Sequence, residues 1–179
     1  MHASVMPGRW ARIFLSFALG YYLSYLLRTV NAVISPALTA ELQLSAANLG
    51  LLTSTYFLAF GLAQIPVGIA LDRFGPRRVE ALLLLLTAAG AVMFALGDSL
   101  QTLGAGRALI GLGVSACLMA ALKGFALWYP RDRQSSMTGF IMAAGALGAL
   151  TASTPLEAAL PLIGWRGAFW IIAAGALLA

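Results

Sequence analysis

The sequence predicts an all-α integral membrane protein with six transmembrane helices, and three observations predict it. The chain is 61% hydrophobic and only 9% charged over 179 residues, whereas a soluble domain carries about 25% charged residues to cover its surface. The apolar residues gather into six long runs, each near the scale of the ~20 helical residues needed to cross a hydrocarbon core. The charges fall in the short breaks between the runs: five of the seventeen Asp, Glu, Lys and Arg residues (Asp72, Arg73, Arg77, Arg78, Glu80) lie within nine positions. With lipid as the solvent, apolar side chains can face outward and no polar coat is required.

The runs lie near 11–38, 47–71, 79–97, 102–128, 135–159 and 166–179. Each break has its own chemistry. TAELQLSAANLG (39–50) carries Glu41, and Ser45 is placed to cap the second helix. GIALDRFGPRRVE (68–80) separates the second and third runs. GDSLQ (97–101) is a tight polar turn. YPRDRQSS (129–136) combines Pro130 with three charges. LPLIGWRG (160–167) holds a proline, glycines and Arg166. The sixth run has only fourteen residues before Ala179, short of a full crossing, so the sixth helix reads as truncated. The N-terminal MHASVMPGRWARIF sets basic residues before an apolar run far longer than a signal-peptide core, with no small-residue cleavage site after it. It reads as an uncleaved first span.

Alternating the loops separates the charges sharply. Arg9, Arg12, Arg73, Arg77, Arg78, Lys123, Arg131 and Arg133 fall on one side, Arg166 alone on the other, and Arg28 and Arg107 inside spans. Such a bias marks the cytoplasmic side, so the N-terminus is expected there, in a cell inner membrane. It also accounts for the net charge of +5 and pI near 10 without nucleic acid, since no basic stripe with interleaved aromatics is present.

Topology alone does not explain the spacing in G-x-x-x-D-R-x-G-x-R-R, made by Gly68, Asp72, Arg73, Gly75, Arg77 and Arg78. Gly68 lies one turn before the end of the second helix, where another helix can approach closely. Asp72 sits at a helix C-terminus, where the dipole disfavours an anion, so it needs a partner: a nearby arginine or another helix's N-terminus. Gly75 and Pro76 make the turn. This stretch resembles the signature loop of the major facilitator superfamily. Three further segments agree in order: GRALIGLG (106–113) is similar to that superfamily's R-x-x-x-G-x-G in helix 4, WYPRDRQSSMTG to its connection between helices 4 and 5, and GWRGAFW (164–170) to its opening of helix 6. The resemblance covers the whole chain, 1–179, as one N-terminal six-helix half of a major facilitator fold. It implies that the 68–78 loop is a conformational latch against a C-terminal six-helix half, missing here, or against a second copy.

Charges within spans are rare and default to functional readings. Tyr21, Ser24, Arg28, Asn31 and Ser35 are spaced 3, 4, 3 and 4 apart, so they share one face of the first helix. At 1.5 Å per residue, Arg28 lies roughly 20–25 Å from the basic edge, past the midplane. Either it faces a polar cavity or its stem snorkels to the far interface. Thr53, Tyr56, Phe60 and Gln64 offer a matching face on the second helix, which core packing explains equally well for Tyr56 and Phe60. Arg107 faces either the cavity or a structural partner. In the fifth helix Gly139, Ala143, Gly145, Gly148 and Ala152 read as a close-packing face. The segment YLLRTVNAVISPAL (25–38) also resembles helix 1 of the organophosphate:phosphate antiporters, which implies that Arg28 grips an anion and that Lys123, late in helix 4, assists. Thr29 follows Arg28 where those antiporters continue with basic residues, so a carboxylate is an alternative to phosphate. Gly145 is followed by Ala146, which departs from the G-P-x-x-G-G pattern of proton-driven drug antiporters.

No nucleophile–base pair, phosphate-cradling glycine loop or metal-ligand cluster is present, and the single cysteine, Cys117, lies in an apolar run. The sequence therefore argues against an enzyme, and against a cofactor, metal or catalytic site. No span carries Asp or Glu away from its ends, so no proton relay is expected in this half. The expected partners are the lipid bilayer and a small anionic solute held by Arg28, Asn31, Tyr21, Ser24, Tyr56, Gln64, Arg107 and Lys123. The expected function is secondary transport by alternating access. The alternative is a non-transporting membrane module, a regulator or receptor or an inert half requiring a partner.

Overall fold

The structure, a computed structural model, describes residues 7–179, with side chains from Ala11 onward. The side chain of Arg9, counted above among the basic residues, lies outside the described residues. Helix α1 spans Pro7–Leu42, α2 Ala46–Phe74, α3 Pro76–Leu96, α4 Leu100–Val114, α5 Cys117–Trp128, α6 Arg131–Thr151 and α7 Thr154–Leu178. Five segments are long and apolar enough to cross a membrane: Ala11–Leu42, Ala46–Phe74, Pro76–Leu96, Leu100–Trp128 and Thr154–Leu178. Helix α6 differs in opening on Arg131, Asp132, Arg133 and Gln134.

The helix ends follow from local chemistry. Ser45 caps α2, its side chain accepting from the Asn48 amide at 3.2 Å. Ser99 and Thr102 form a capping box at the start of α4. Gly75, at φ +80, closes α2 in a conformation that side chains rarely adopt, and Pro76 opens α3 at once.

Two breaks divide the expected runs differently. The fourth run is interrupted at Ser115–Ala116. There the Ser115 hydroxyl donates to the Leu112 carbonyl at 2.6 Å, and its amide bonds the same carbonyl at 3.3 Å, an i to i−3 tightening. The fifth run breaks at Ala152–Ser153 by the same device on Leu150, with Pro155 next. The chain then turns at Gly164, φ +67, so the last rod runs from Trp165. With α4 and α5 as one broken rod, and α6 and the first turns of α7 as another, the described residues make six rods.

Helix α1 packs chiefly on α6, α2 on α4, and α3 on both α4 and α7. Two glycines set the closest approaches. Gly111 sits against the Tyr56 carbonyl of α2, and Gly148 against the Tyr22 carbonyl of α1; in both places a Cβ would collide with backbone. Gly145 meets the Tyr21 and Tyr25 rings, so the expected close-packing face of the fifth helix is present at Gly145, Gly148 and the buried Ala152. At Gly139 and at Gly68 nothing lies within 4 Å of the added Cβ; no helix of the described residues approaches either. Large apolar side chains such as Ile65, Leu162 and Leu178 stand exposed on the outside, as lipid-facing positions require.

Candidate functional site: a polar core with two arginines

The alternation of the rods puts the start of α1, the α2–α3 turn and the α5–α6 turn at one end. The end of α1, the α3–α4 turn and the Gly164 bend lie at the other. Both ends are tied by charges. At the first, Lys123 Nζ of α5 pairs with Asp72 Oδ1 of α2. At the second, Arg166 Nη1 donates to Glu41 Oε1. Its Nη2 donates to Asp98 Oδ1 at 2.8 Å and to the Gly97 carbonyl at 3.3 Å, and Trp165 Nε1 donates to Glu41 Oε2 at 2.7 Å. Among the described residues the partner of Asp72 is therefore Lys123, not an adjacent arginine or a helix N-terminus. The antiparallel course of α5 brings Lys123 to it. Lys123 is spent at this end of the bundle, and its Nζ is bonded away from Arg28.

Between the ties lies a polar core. Arg107 of α4 is 1% exposed. Its Nη1 donates to the Leu27 carbonyl at 3.1 Å and its Nη2 to Asn31 Oδ1 at 2.7 Å, both on α1. Asn31 Nδ2 donates onward to Thr53 Oγ1 at 2.7 Å, and that hydroxyl donates to the Leu49 carbonyl at 3.0 Å. The guanidinium carbon also lies 4.8 Å from the Phe94 ring centre and 5.5 Å from that of Phe169, which stack at 4.3 Å. One side chain thus joins α1, α2, α3, α4 and α7. Of the two roles open to Arg107, the geometry is that of a structural partner.

Arg28 has different surroundings. Its guanidinium carbon lies 4.9, 5.9 and 5.2 Å from the ring centres of Tyr25, Phe57 and Phe60. The Tyr56 hydroxyl is its neighbour. Its Nε is buried with no acceptor, and no carboxylate pairs with it among the described residues. The rings receive the cation on their faces and leave its Nε without an acceptor.

The remaining predicted residues divide between core and margin. Ser24 is buried, and its carbonyl accepts from the Tyr56 hydroxyl at 3.5 Å. Tyr21 is buried against Tyr25 and directs its hydroxyl to Met142 sulfur at 3.7 Å. Gln64 Nε2 donates to the Phe60 carbonyl at 3.3 Å, and Ser35 bonds back to Ala32 of its own helix. So Ser24, Arg28, Asn31 and Tyr56 come together at the α1–α2 seam, with Arg107 behind them, while Tyr21 faces α6 at Met142 and Gly145. Gln64 and Lys123 lie further along toward the Asp72 end.

Two groups escaped the sequence reading. The Glu41–Arg166–Asp98 tie links residues from three breaks that no spacing relates. Glu80, grouped above with the loop charges, is inside α3: the helix begins at Pro76, so Glu80 falls in its second turn, 5% exposed, with Oε1 buried and unpartnered. Glu80 thus lies near the helix end, as the spans require, and is nevertheless buried. The one available signal was that the apolar run begins at Val79, before the glutamate.

Apolar rods of membrane length, turned lipid-ward on the outside and joined through arginines within, define a multi-pass helical membrane protein with a polar interior. The chain belongs to the Major Facilitator Superfamily, whose sequence profile matches residues 17–179. It is 32% identical over 148 residues to the Probable L-galactonate transporter of Escherichia coli strain K12, covering 82% of this chain and 32% of that protein. It is 30% identical over 169 residues to the Hexuronate transporter of the same strain, covering 94% and 38%. The chain thus spans about a third of the length of these relatives. A bacterial homolog of the human lysosomal transporter Spinster, solved inward-facing and occupied, superposes with a TM-score of 0.89 at 23% identity over 98% of this chain and 43% of that one; this likeness is one of fold.

Proposed function

We propose that this chain is the N-terminal six-helix half of a secondary transporter that moves a small organic anion by alternating access, with Arg28 as the anion-binding group. The observation that carries the reading is the contrast at the centre. Both arginines keep a buried Nε without an acceptor, but Arg107 spends both terminal nitrogens on the Leu27 carbonyl and Asn31 of α1, whereas Arg28 faces aromatic rings and the Tyr56 hydroxyl and has no carboxylate partner among the described residues. A cation at that depth is costly, and an entering carboxylate or phosphate supplies the missing acceptors in bidentate form. Tyr56 and Asn31 flank it. The relatives named for galactonate and hexuronate favour a sugar acid over a phosphate ester. Arg107 acts as the post that holds Asn31, and Lys123 belongs with the latch rather than the site.

The orientation that fits the basic bias has the N-terminus, the Asp72–Lys123 tie and the α2–α3 turn in the cytoplasm of a bacterial inner membrane. Gly68, Asp72, Arg73, Gly75, Arg77 and Arg78 then form a latch whose open face at Gly68 receives a second six-helix half or a second copy. The site needs that second wall to close.

The test is counterflow in proteoliposomes holding the intact protein, with hexuronates and aldonates, inorganic phosphate, and a cationic solute. Saturable exchange of a sugar acid that Arg28→Ala abolishes is the expected result. Exchange of the cation, or of the same anion at unchanged affinity in Arg28→Ala, refutes the assignment.

A further inference from the structure

We propose that Glu80 is a proton-binding site, filled and emptied through the pocket at the Asp72 end of the bundle, and that its protonation is coupled to anion movement. The coupling rests on the transport reading above; the binding does not. Glu80 is 5% exposed, and its Oε1 has neither a hydrogen-bond donor nor an ion-pair partner among the described residues. That oxygen is pressed against α1 at Gly20, where even a Cβ would come within 2.6 Å. The residue facing the carboxyl there is the one type with no side chain to answer it.

Below Glu80 lies a pocket of about 580 Å³ lined by Arg12 and Ser16 of α1, Arg77 and Glu80 of α3, and Trp128 of α5. The groups that face the carboxyl from each neighbour are few. Helix α1 offers Arg12 and the Ser16 hydroxyl, α3 itself Arg77, and α5 Trp128 and the buried Cys117 thiol; Ala179, following α7, also lines the pocket. Two guanidiniums therefore share a pocket wall with the acid, and neither pairs with it in this conformation.

An ionised carboxylate buried without donor or counter-charge loses the hydration that the charged form requires. The neutral acid suits the arrangement seen here. The ionised form suits an arrangement in which Arg12 or Arg77 swings across the pocket to meet it. A proton passes from water in the pocket to a Glu80 carboxylate oxygen and returns to water when the guanidinium arrives; nothing is oxidised or reduced. Both arginines stand on elements that border the α2–α3 turn or the start of α1, so a change of state at that end alters their distance to Glu80. Protonation and conformation are then linked, because the proton binds one arrangement better than the other.

The test has two arms. In the first, infrared difference spectra of the purified intact protein are titrated with pH. A protonated-acid carbonyl band that fades as pH rises, and that is absent in Glu80→Gln, is expected. Arg12→Gln and Arg77→Gln should move its fading to higher pH, because each removes a cation that favours the ionised form. This keeps the proposal testable should Glu80→Gln fail to fold. A wild-type spectrum with no such band, or one unmoved by both arginine variants, overturns the proposal. In the second arm, proteoliposomes loaded with a pH-sensitive dye report proton movement during anion uptake. Glu80→Gln should lose the proton flux and the accumulation driven by an imposed pH gradient; wild-type proton flux in that variant overturns the coupling. If no liposome exchanges anion at all, the transport reading falls while the infrared arm still decides whether Glu80 binds a proton.

Discussion

Arg107 and Arg28 are the same residue type placed in the same apolar bundle; Arg107 bonds Asn31, which lies three positions after Arg28 on α1. The fold treats them in opposite ways. Arg107 is 1% exposed, gives two hydrogen bonds to α1 and rests on two stacked phenyl rings. Arg28 is half-buried among ring faces and beside the Tyr56 hydroxyl, with no bond to a backbone carbonyl or carboxylate among the described residues; the Nε of each arginine is buried without an acceptor. Both are tolerated because a guanidinium is weakly hydrated for a cation and stacks on aromatics. The lesson is that location in a span does not make an arginine functional; unspent hydrogen-bonding capacity does. Arg107 has both terminal nitrogens committed to its own fold, and only its buried Nε is left over.

The comparison can be broken in four places. The largest effect on stability is expected from Arg107→Ala, which strands the Asn31 and Leu27 acceptors at about 1–3 kcal/mol each; thermal unfolding in detergent reads it. If that variant keeps wild-type stability but loses anion binding, the roles of the two arginines are exchanged. Asn31→Ala should come next, at about 1.5–3 kcal/mol, because it removes the acceptor of a charged donor and unhooks Thr53 in the same step. Arg28→Ala should change stability by less than about 1 kcal/mol, since it removes a buried charge that no acidic group answers. It should nevertheless abolish ligand-induced thermal stabilisation by a sugar acid. Arg28→Lys, which keeps charge but loses the planar fork, should weaken that stabilisation by about tenfold in affinity. The smallest effect on folding belongs to Asp72→Asn. The pair with Lys123 is exposed on the aspartate side, 82% against 28%, and such pairs contribute about 0–1 kcal/mol. Its consequence should appear in transport rate and not in the melting curve.

Much of this architecture was legible beforehand, because in lipid the constraints are strong and local. Twenty apolar residues in a row permit little except a helix, and Ser45, Gly75 and Pro76 punctuate it by side-chain chemistry that needs no tertiary partner. The breaks at Ser115 and Ser153 were not legible. A serine back-bonding to its own helix competes with the ladder only weakly, so whether the helix yields depends on what packs against it.

The sequence by itself determined that this is a membrane protein of the Major Facilitator Superfamily, which segments form helices, and that Arg28 and Asn31 share a helix face, since periodicity and hydropathy are properties of a chain read along its length. Only the tertiary structure decided that Arg107 is spent on Asn31, that Lys123 belongs to Asp72, that Arg166 gathers Glu41 and Asp98, and that Glu80 is buried without a partner. Each of these turns on a distance between residues 51 to 125 apart in sequence, or on the lack of a neighbour at such a distance. A charge's partner is fixed by where the helices come together, and one-dimensional spacing carries no such distance.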